Sequence, residues 1–531
     1  MTVLNLACVV DQHARSQPDA LAIDCNGHTL SYAELARRAM AVGQALAALR
    51  QEGRPFRVGL LASRSAQACV ALLGACWAGA TYVPMNSKSS GQRITEMMER
   101  CELQALITDD QGLQVCMSSL SQPLSIPILH VGVSPPVAGF QAQHLHLPHE
   151  GEWCPPVEMA PNDAAYIIFT SGTTGTPKGV VISVQAARHY CQTIQSVLGL
   201  KPSDRALETC DLSFDFSVHN MFSVWEAGGS LHILPATSVM NAVKFVRAQQ
   251  LTVWNSVPSL AGMLRQIKAL AAESMPNLRI TVFGGEQLPV GLVHAWHQAA
   301  PSSVIYNLFG PTEATVFCMA QKVDVALPPS ARQVVAIGSP LPGNQAAIWG
   351  ADGQWVRGQG QGELLIAGDQ LALEYLGQPE LTAQKFPTLD GRRWYRTGDL
   401  AMQDEQGLYH CLGRIDNQVK VKGYRIELEE IEAHLRSVSG SEVVASVAWP
   451  IDEHGMANGI VGFLTAEEIH VDALMAQLKQ RMPSYMVPNK IIPLKNLPFN
   501  ASGKVDRQAL RQWLSEPTRR TPISYAVFCL K

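Results

Sequence analysis

Short apolar or β-branched runs recur along the chain, at Val58–Leu61, Ala105–Thr108, Ala165–Phe169, Leu231–Leu234, Thr252–Val257, Ile280–Phe283 and Val304–Leu308. Helix-like segments separate many of them, including Tyr32–Leu49, Ala66–Ala78, Val184–Leu200 and Ser259–Ala272. Apolar strands alternating with helices predict parallel sheets covered on both faces, so the expected class is α/β. From Pro328 to Phe386 the texture changes to short strands punctuated by Gly and Pro, such as Glu363–Ala367, which predicts a small β-rich subdomain. Beyond Arg414 a shorter, more charged α+β stretch follows: Gln418–Tyr424, a helix at Glu427–Arg436, a strand at Glu442–Trp449 and a helix at Val471–Arg481. The expected organisation is a core over 1–413, a hinge at 414–417, a small C-terminal domain over 418–515, and a tail at 516–531 with no assignable pattern.

Composition narrows the class without changing it. A chain of 531 residues exceeds a single core and implies about three domains or subdomains. With 47% hydrophobic and 16% charged residues, and with Gly and Pro dispersed, it reads as a soluble globular protein. A net charge of −4 argues against nucleic acid or an anionic membrane as the main partner. No basic stretch followed by a long apolar run opens the chain, and no run of about 18 apolar residues occurs, so neither a secretory leader nor a membrane span is expected. The twelve cysteines form no CxxC pair, and Cys69, Cys76 and Cys318 sit in apolar runs. That usage suits reduced thiols in a cytoplasmic enzyme better than disulfides or zinc.

The candidate chemistry begins at residues 171–180, Ser-Gly-Thr-Thr-Gly-Thr-Pro-Lys-Gly-Val, directly after the Ala165–Phe169 run. Glycines let backbone N–H groups turn onto an anion, and Ser171, Thr173, Thr174 and Thr176 add short hydroxyl donors. Taken alone, such a stretch is also an ordinary solvated turn. The Walker spacing does not fit, because Gly179 follows Lys178. The loop instead resembles the nucleotide signature of the adenylate-forming superfamily: acyl-CoA synthetases, luciferases and the adenylation domains of nonribosomal peptide synthetases. Further blocks follow in that family's order: WAGATYVPMN at 77–86, which ends in Asn86 where the family has Asp, FDFSVHN at 214–220, NLFGPTEATV at 307–316, YRTGDL at 395–400, the 407–432 stretch, and LPFNASGKVDR at 497–507. The resemblance implies a large N-terminal domain of two α/β subdomains plus a β-rich one, and a small mobile C-terminal domain over the active site.

It also implies roles. Thr170, Ser171, Gly172, Thr173, Thr174, Gly175 and Lys178 would hold ATP, together with Gly285, Glu286, Asn307 and Gly310. Thr312 and Glu313 supply the hydroxyl and hard carboxylate that magnesium prefers beside phosphate oxygens; the bland alternative is a solvent-facing Glu after a turn. Phe309 would stack on adenine, or is a core Phe. Asp399 would accept from the ribose hydroxyls, with Arg414 assisting. Lys504 would place an ammonium between the substrate carboxylate and the α-phosphate, where charge develops. Ser502 stands where the family usually has Asn. Asp416 matches the family's hinge, though a linker Asp is also a helix cap, and Lys420, Lys422 and Gly423 fall where the carrier channel is expected.

Substrate class turns on Asp215. Amino-acid-activating relatives use an Asp here to pair with the α-ammonium, whereas aryl- and fatty-acid-activating ones do not need it; a cap on the following helix is the alternative. The rest of the pocket, carried over by position, is Phe216, His219, Asn255, Val282, Gly284, Leu308, Val316 and Phe317, with Lys504 on the carboxylate. It is mostly apolar, which favours a small or medium neutral amino acid. No carrier motif follows the final block, so the expectation is a stand-alone enzyme that uses Mg-ATP to form aminoacyl-AMP and loads the phosphopantetheine thiol of a separate carrier protein. An acyl- or aryl-CoA ligase of the same superfamily and a catalytically silent adenylate-binding scaffold are the alternatives.

Overall fold

A computed structural model describes residues 4–120, 124–136, 141–145, 147, 152–171, 177–325, 334–356, 358–441, 443–451, 457–465, 470–499 and 505–516. The described residues form two compact units, one from 1–87, 94–169 and 179–415, the other from 88–93, 170–178 and 416–531. Lys504 and Gly172 to Gly175 lie outside the described residues.

The first unit holds a nine-stranded sheet with the spatial order Ser339–Pro340, Met319–Lys322, Val304–Phe309, Ile280–Gly284, Val253–Ser256, Arg205–Glu208, Ser230–Ile233, Leu21–Cys25, His28–Ser31. Its middle is parallel, as the apolar runs predict, from Val304–Phe309 across to Leu21–Cys25. Both edges are antiparallel, which the alternating pattern does not predict: a hairpin closes one edge and two strands that turn back close the other. An eight-stranded sheet centres on Ala164–Thr170, Thr81–Met85, Arg57–Leu61 and Ala105–Thr108. The β-rich texture resolves as a five-stranded antiparallel sheet that includes Asn344–Trp349, Gln361–Gly368, Tyr395–Gln403 and Tyr409–Arg414.

Helix starts follow local chemistry. Ser31 and Glu34 form a capping box at the head of Tyr32–Ala47, each side chain bonding the other's backbone N–H. Ser65 caps Ala66–Trp77, whose residues are buried on every face except Gln67, so this helix is core all round. Ser183 caps Val184–Leu198, which ends on Gly199 at φ +60. Two expected elements change. The helix expected over Ser259–Ala272 is Pro258–Gln266, because the chain leaves it through Lys268 at φ +58. The charged stretch expected over Gln418–Tyr424 takes the form of a hairpin, Gln418–Val421 with Tyr424–Glu427, turned by Lys422 and Gly423 at φ +51 and +84. Positive φ at both central residues is the hairpin geometry that matches strand twist. The second unit continues with the helix Leu428–Ser439 and a three-stranded sheet, Val444–Ala448, Ile460–Thr465 and Lys490–Leu494, backed by Val471–Arg481 and Arg507–Ser515. No described helix is long and apolar enough to cross a membrane.

Candidate active site

The parallel middle of the nine-stranded sheet gathers the substrate candidates at its carboxyl ends, where open α/β sheets bind ligands. Asn255 is in register with Val282, and Gly284 with Leu308, on three adjacent strands. Phe216 and His219 come from the first turns of the helix Phe216–Glu226. Val316 and Phe317 arrive on the loop after Val304–Phe309. The structure therefore brings these carried-over positions into one unit.

Their rings pack against one another. Phe216 and Phe317 meet edge to face at 5.0 Å, and His219 lies 5.5 Å from Phe317 and 5.7 Å from Phe216. Gly284 leaves no room for a side chain, since an added Cβ would sit 2.5 Å from the Phe317 ring. His219 Nδ1 lies 2.6 Å from the Tyr190 hydroxyl. His219 Nε2 and Asn255 Oδ1 are both buried without a hydrogen-bond partner. Burial outweighs the pull of Asn255 and lowers the His219 pKa to about 3, so the ring is neutral.

Asp215 precedes that helix at the N-cap position, yet its backbone is already helical (φ −65, ψ −18) and its side chain makes no capping bond. The capping alternative is thereby removed. Its carboxylate faces buried phenols: burial, with Asp215 contributing, holds Tyr82, Tyr166 and Tyr190 well above the ordinary tyrosine range. The Tyr82 and Tyr166 hydroxyls are buried without partners. Asn86 steadies this region through a 3.2 Å bond to Ser213 Oγ, just upstream of Asp215.

The nucleotide candidates lie in several places. Glu313 is fully buried, and the Tyr375 hydroxyl donates to its Oε1 at 2.8 Å. Thr312 begins the short 3₁₀ turn that carries it. Phe309 ends its strand nearly buried, and Gly310 follows where a Cβ would meet Val316 O at 2.3 Å. Asp399 and Arg414 face each other across adjacent strands and form a 3.1 Å ion pair. Asp399 also contributes, behind burial, to the raised Cys318 thiol, which places it near the end of the 309–318 loop. Gly285 turns at φ +83, while Glu286 accepts the Ser259 amide and Asn307 donates to Ala336 O, so these two side chains brace the scaffold. Thr170 Oγ1 is buried without a partner. In the second unit Ser171 Oγ donates to Arg425 O and accepts from Glu427 N, and Lys178 Nζ lies 3.7 Å from Glu427. Tyr190 and Tyr375, bonded to His219 and Glu313, are functional neighbours that no motif announced.

Among the described residues no cluster of three or more His, Cys, Asp or Glu is arranged to hold a metal ion by itself. A single hard carboxylate at Glu313 fits magnesium that shares phosphate oxygens and water as its other ligands.

The family described as AMP-binding enzyme matches residues 10–376. The chain is 33% identical over 520 residues to the delta-poly-L-ornithine synthetase of Acinetobacter baumannii (strain AB307-0294), covering 95% of this chain and 36% of that protein. It spans less than half the length of the curated relatives it matches. Among solved structures, the Vibrio cholerae adenylation domain AlmE in complex with glycyl-adenosine-5′-phosphate superposes with a TM-score of 0.87 at 28% identity, covering 96% of this chain and 98% of that one. A nonribosomal peptide synthetase protein containing adenylation and carrier (PCP) domains, PA1221, gives a TM-score of 0.79 at 25% identity, with coverages of 96% and 84%.

Proposed function

The chain belongs to the AMP-binding enzymes, and on that premise we propose that it activates a small neutral α-amino acid. The amino acid carboxylate attacks the α-phosphorus of ATP, forming aminoacyl-AMP and releasing pyrophosphate. The phosphopantetheine thiol of a carrier protein then attacks the acyl carbon and AMP leaves, giving an aminoacyl thioester. The observation that carries the reading is Asp215: a carboxylate at a helix start that makes no capping bond and is set against buried phenols. In such surroundings an ammonium is the natural counter-charge. The glycyl adenylate in the AlmE structure and the carrier domain of PA1221 support the substrate and acceptor classes.

The ring cluster supports the size limit. Phe216, His219 and Phe317 take the space a long side chain would need, and His219 stays neutral, so no charged side chain is matched there. Asp399 and Arg414 are assigned to the ribose side, Phe309 to the base, and Glu313 with Thr312 to magnesium, which would neutralise charge on the departing pyrophosphate. Lys504 is assigned to the substrate carboxylate and α-phosphate, and Asp416 to the hinge of the small domain. The buried unpaired thiols of Cys69, Cys76 and Cys191 suit a reducing compartment, and a cytoplasmic location is part of the proposal.

Pyrophosphate exchange measured with a panel of amino, aryl and fatty acids tests the reading. Exchange with glycine or alanine, and none with aryl or fatty acids, is expected. Exchange with aryl or fatty acids alone would establish the acyl- or aryl-CoA ligase instead, and nucleotide binding without adenylate from any acid would establish the scaffold.

A further inference from the structure

The loop from Phe309 to Cys318 serves two ligands: Gly310 to Glu313 on the nucleotide side, Val316 and Phe317 in the acid pocket. Between them the backbone passes through Thr315 and Val316 at φ +55 and +67. Two successive left-handed residues without a glycine are unfavourable, and a β-branched Val makes the second a true outlier. Such strain persists only where the surroundings over-determine it, and it concentrates at functional sites.

One residue supplies most of the hydrogen bonds that meet the left-handed pair from outside the loop. Gln370, fully buried, follows the strand Gln361–Gly368 of the five-stranded sheet. Its Nε2 donates to the carbonyls of Ala314 (3.2 Å), Thr315 (3.2 Å) and Phe317 (2.8 Å), which bracket the left-handed pair. Its own main-chain carbonyl accepts from Thr315 Oγ1 at 2.5 Å. Its Oε1 accepts from Asn344 Nδ2, which fixes the amide with its N–H groups toward the loop. Glu313 has separate supports: the Ala372 amide donates to its carbonyl and the Tyr375 hydroxyl to its carboxylate, both at 2.8 Å. The segment 370–375 thus straps the loop at both ends, by different groups.

We infer that Gln370 is a positioning residue for amino-acid selection: by clamping Thr315 and Val316 in the left-handed conformation it presents Val316 and Phe317 to the acid, and it does so independently of the nucleotide end of the loop. The inference rests on the amino-acid-activating reading for its kinetic consequence, but not for its structural one.

The test uses the full chain with Gln370→Ala and the near-isosteric Gln370→Glu, which turns oxygen toward three carbonyls. Pyrophosphate exchange should show the amino-acid KM raised about tenfold or more, the loss expected when buried acceptors are abandoned. The ATP KM should stay within about twofold, because Glu313 keeps its own supports. Thr315→Gly in the Gln370→Ala background should recover much of the amino-acid KM, since glycine adopts positive φ freely. Thr315→Gly alone, which loses only the hydroxyl bond to the Gln370 carbonyl, should raise it less than Gln370→Ala does. Asn344→Ala, which only releases the Gln370 amide, should give the same asymmetry in milder form and covers the case in which the Gln370 variants fail to fold. Amide hydrogen exchange at 314–318 should accelerate in Gln370→Ala or Asn344→Ala while the neighbouring strands stay protected. A folded variant with unchanged amino-acid KM, parallel rises in both KM values, or absence of rescue by glycine would overturn the clamp. If wild-type enzyme shows no acid-dependent exchange at all, the functional reading falls, and hydrogen exchange at 314–318 alone decides the clamp.

Discussion

At the carboxyl ends of Val253–Ser256, Ile280–Gly284 and Val304–Phe309, the candidate pocket is lined by rings: ring packs on ring, and the imidazole is held neutral. On the five-stranded sheet, Asp399 and Arg414 keep opposite charges 3.1 Å apart and only partly buried. On the proposed reading the first region would select by excluded volume, with one carboxylate supplying its charge. The second is suited to a highly charged ligand, for which a persistent, partly solvated acceptor and cation are the appropriate chemistry. The two regions therefore predict separable lesions: damage to the pocket should appear in the requirement for the acid, and damage to the strand pair in the requirement for ATP.

The largest effect is expected where the two requirements meet. Lys504→Ala should lower adenylate formation by roughly 10²–10³-fold, the range for losing one group that stabilises developing charge, with ATP binding nearly intact by equilibrium dialysis. Equal loss of both would mean that the lysine is structural. Next, Asp215→Ala should raise the amino-acid KM by on the order of 10²-fold, as removal of one partner from a buried charge pair does, and leave the ATP KM little changed. A parallel rise would undo the ammonium assignment. Asp399→Asn should give the mirror image in smaller form: an ATP KM up by about tenfold and an unaltered amino-acid KM. A shift in the acid requirement instead would erase the division between the regions.

The smallest effect is a matter of pH and stability. Burial lowers His219 from 6.5 to about 3 and raises Glu208 from 4.5 to about 7. Unfolded His219 gains a proton that the native ring refuses, so its contribution is intact above about 6.5 and is lost as pH falls towards 3. Glu208 behaves oppositely: its contribution is complete below 4.5 and is lost as pH rises through 7. Thermal unfolding against pH should lose its acid-side slope in His219→Gln and its neutral-side slope in Glu208→Gln. Unchanged profiles would show that neither group is held in its buried protonation state.

Much of the fold was legible because parallel strands buried on both faces must be apolar throughout, and the central strands of both large sheets announce themselves that way. The candidate site was legible where family blocks carry side chains at fixed spacing: Asp215, Phe309, Glu313 and Asp399 each stand in one. What escaped has no local signature. Tyr190 faces His219, Tyr375 faces Glu313 and Gln370 faces Thr315 because of tertiary packing; their separations of 29, 62 and 55 residues leave nothing for periodicity to register. The antiparallel edges escaped for a related reason, since Leu21–Cys25 joins the sheet only through the distant strand Ser230–Ile233. For Lys504 and Gly172 to Gly175 the assignments remain those of the motif.

The amino-terminal hairpin has a consequence for how the chain is made. Ile23 takes its place beside Leu231, and the Tyr32 hydroxyl bonds Gly229 O across 197 residues. The hairpin leaves the ribosome ahead of that partner strand and must wait, with its apolar face unsatisfied, until Ser230–Ile233 has emerged. Its own edge is capped only by its hairpin partner. Trimming those first residues would therefore leave the Ser230–Ile233 strand as a raw border. That makes this hairpin, outside the candidate site, a sensitive place to shorten.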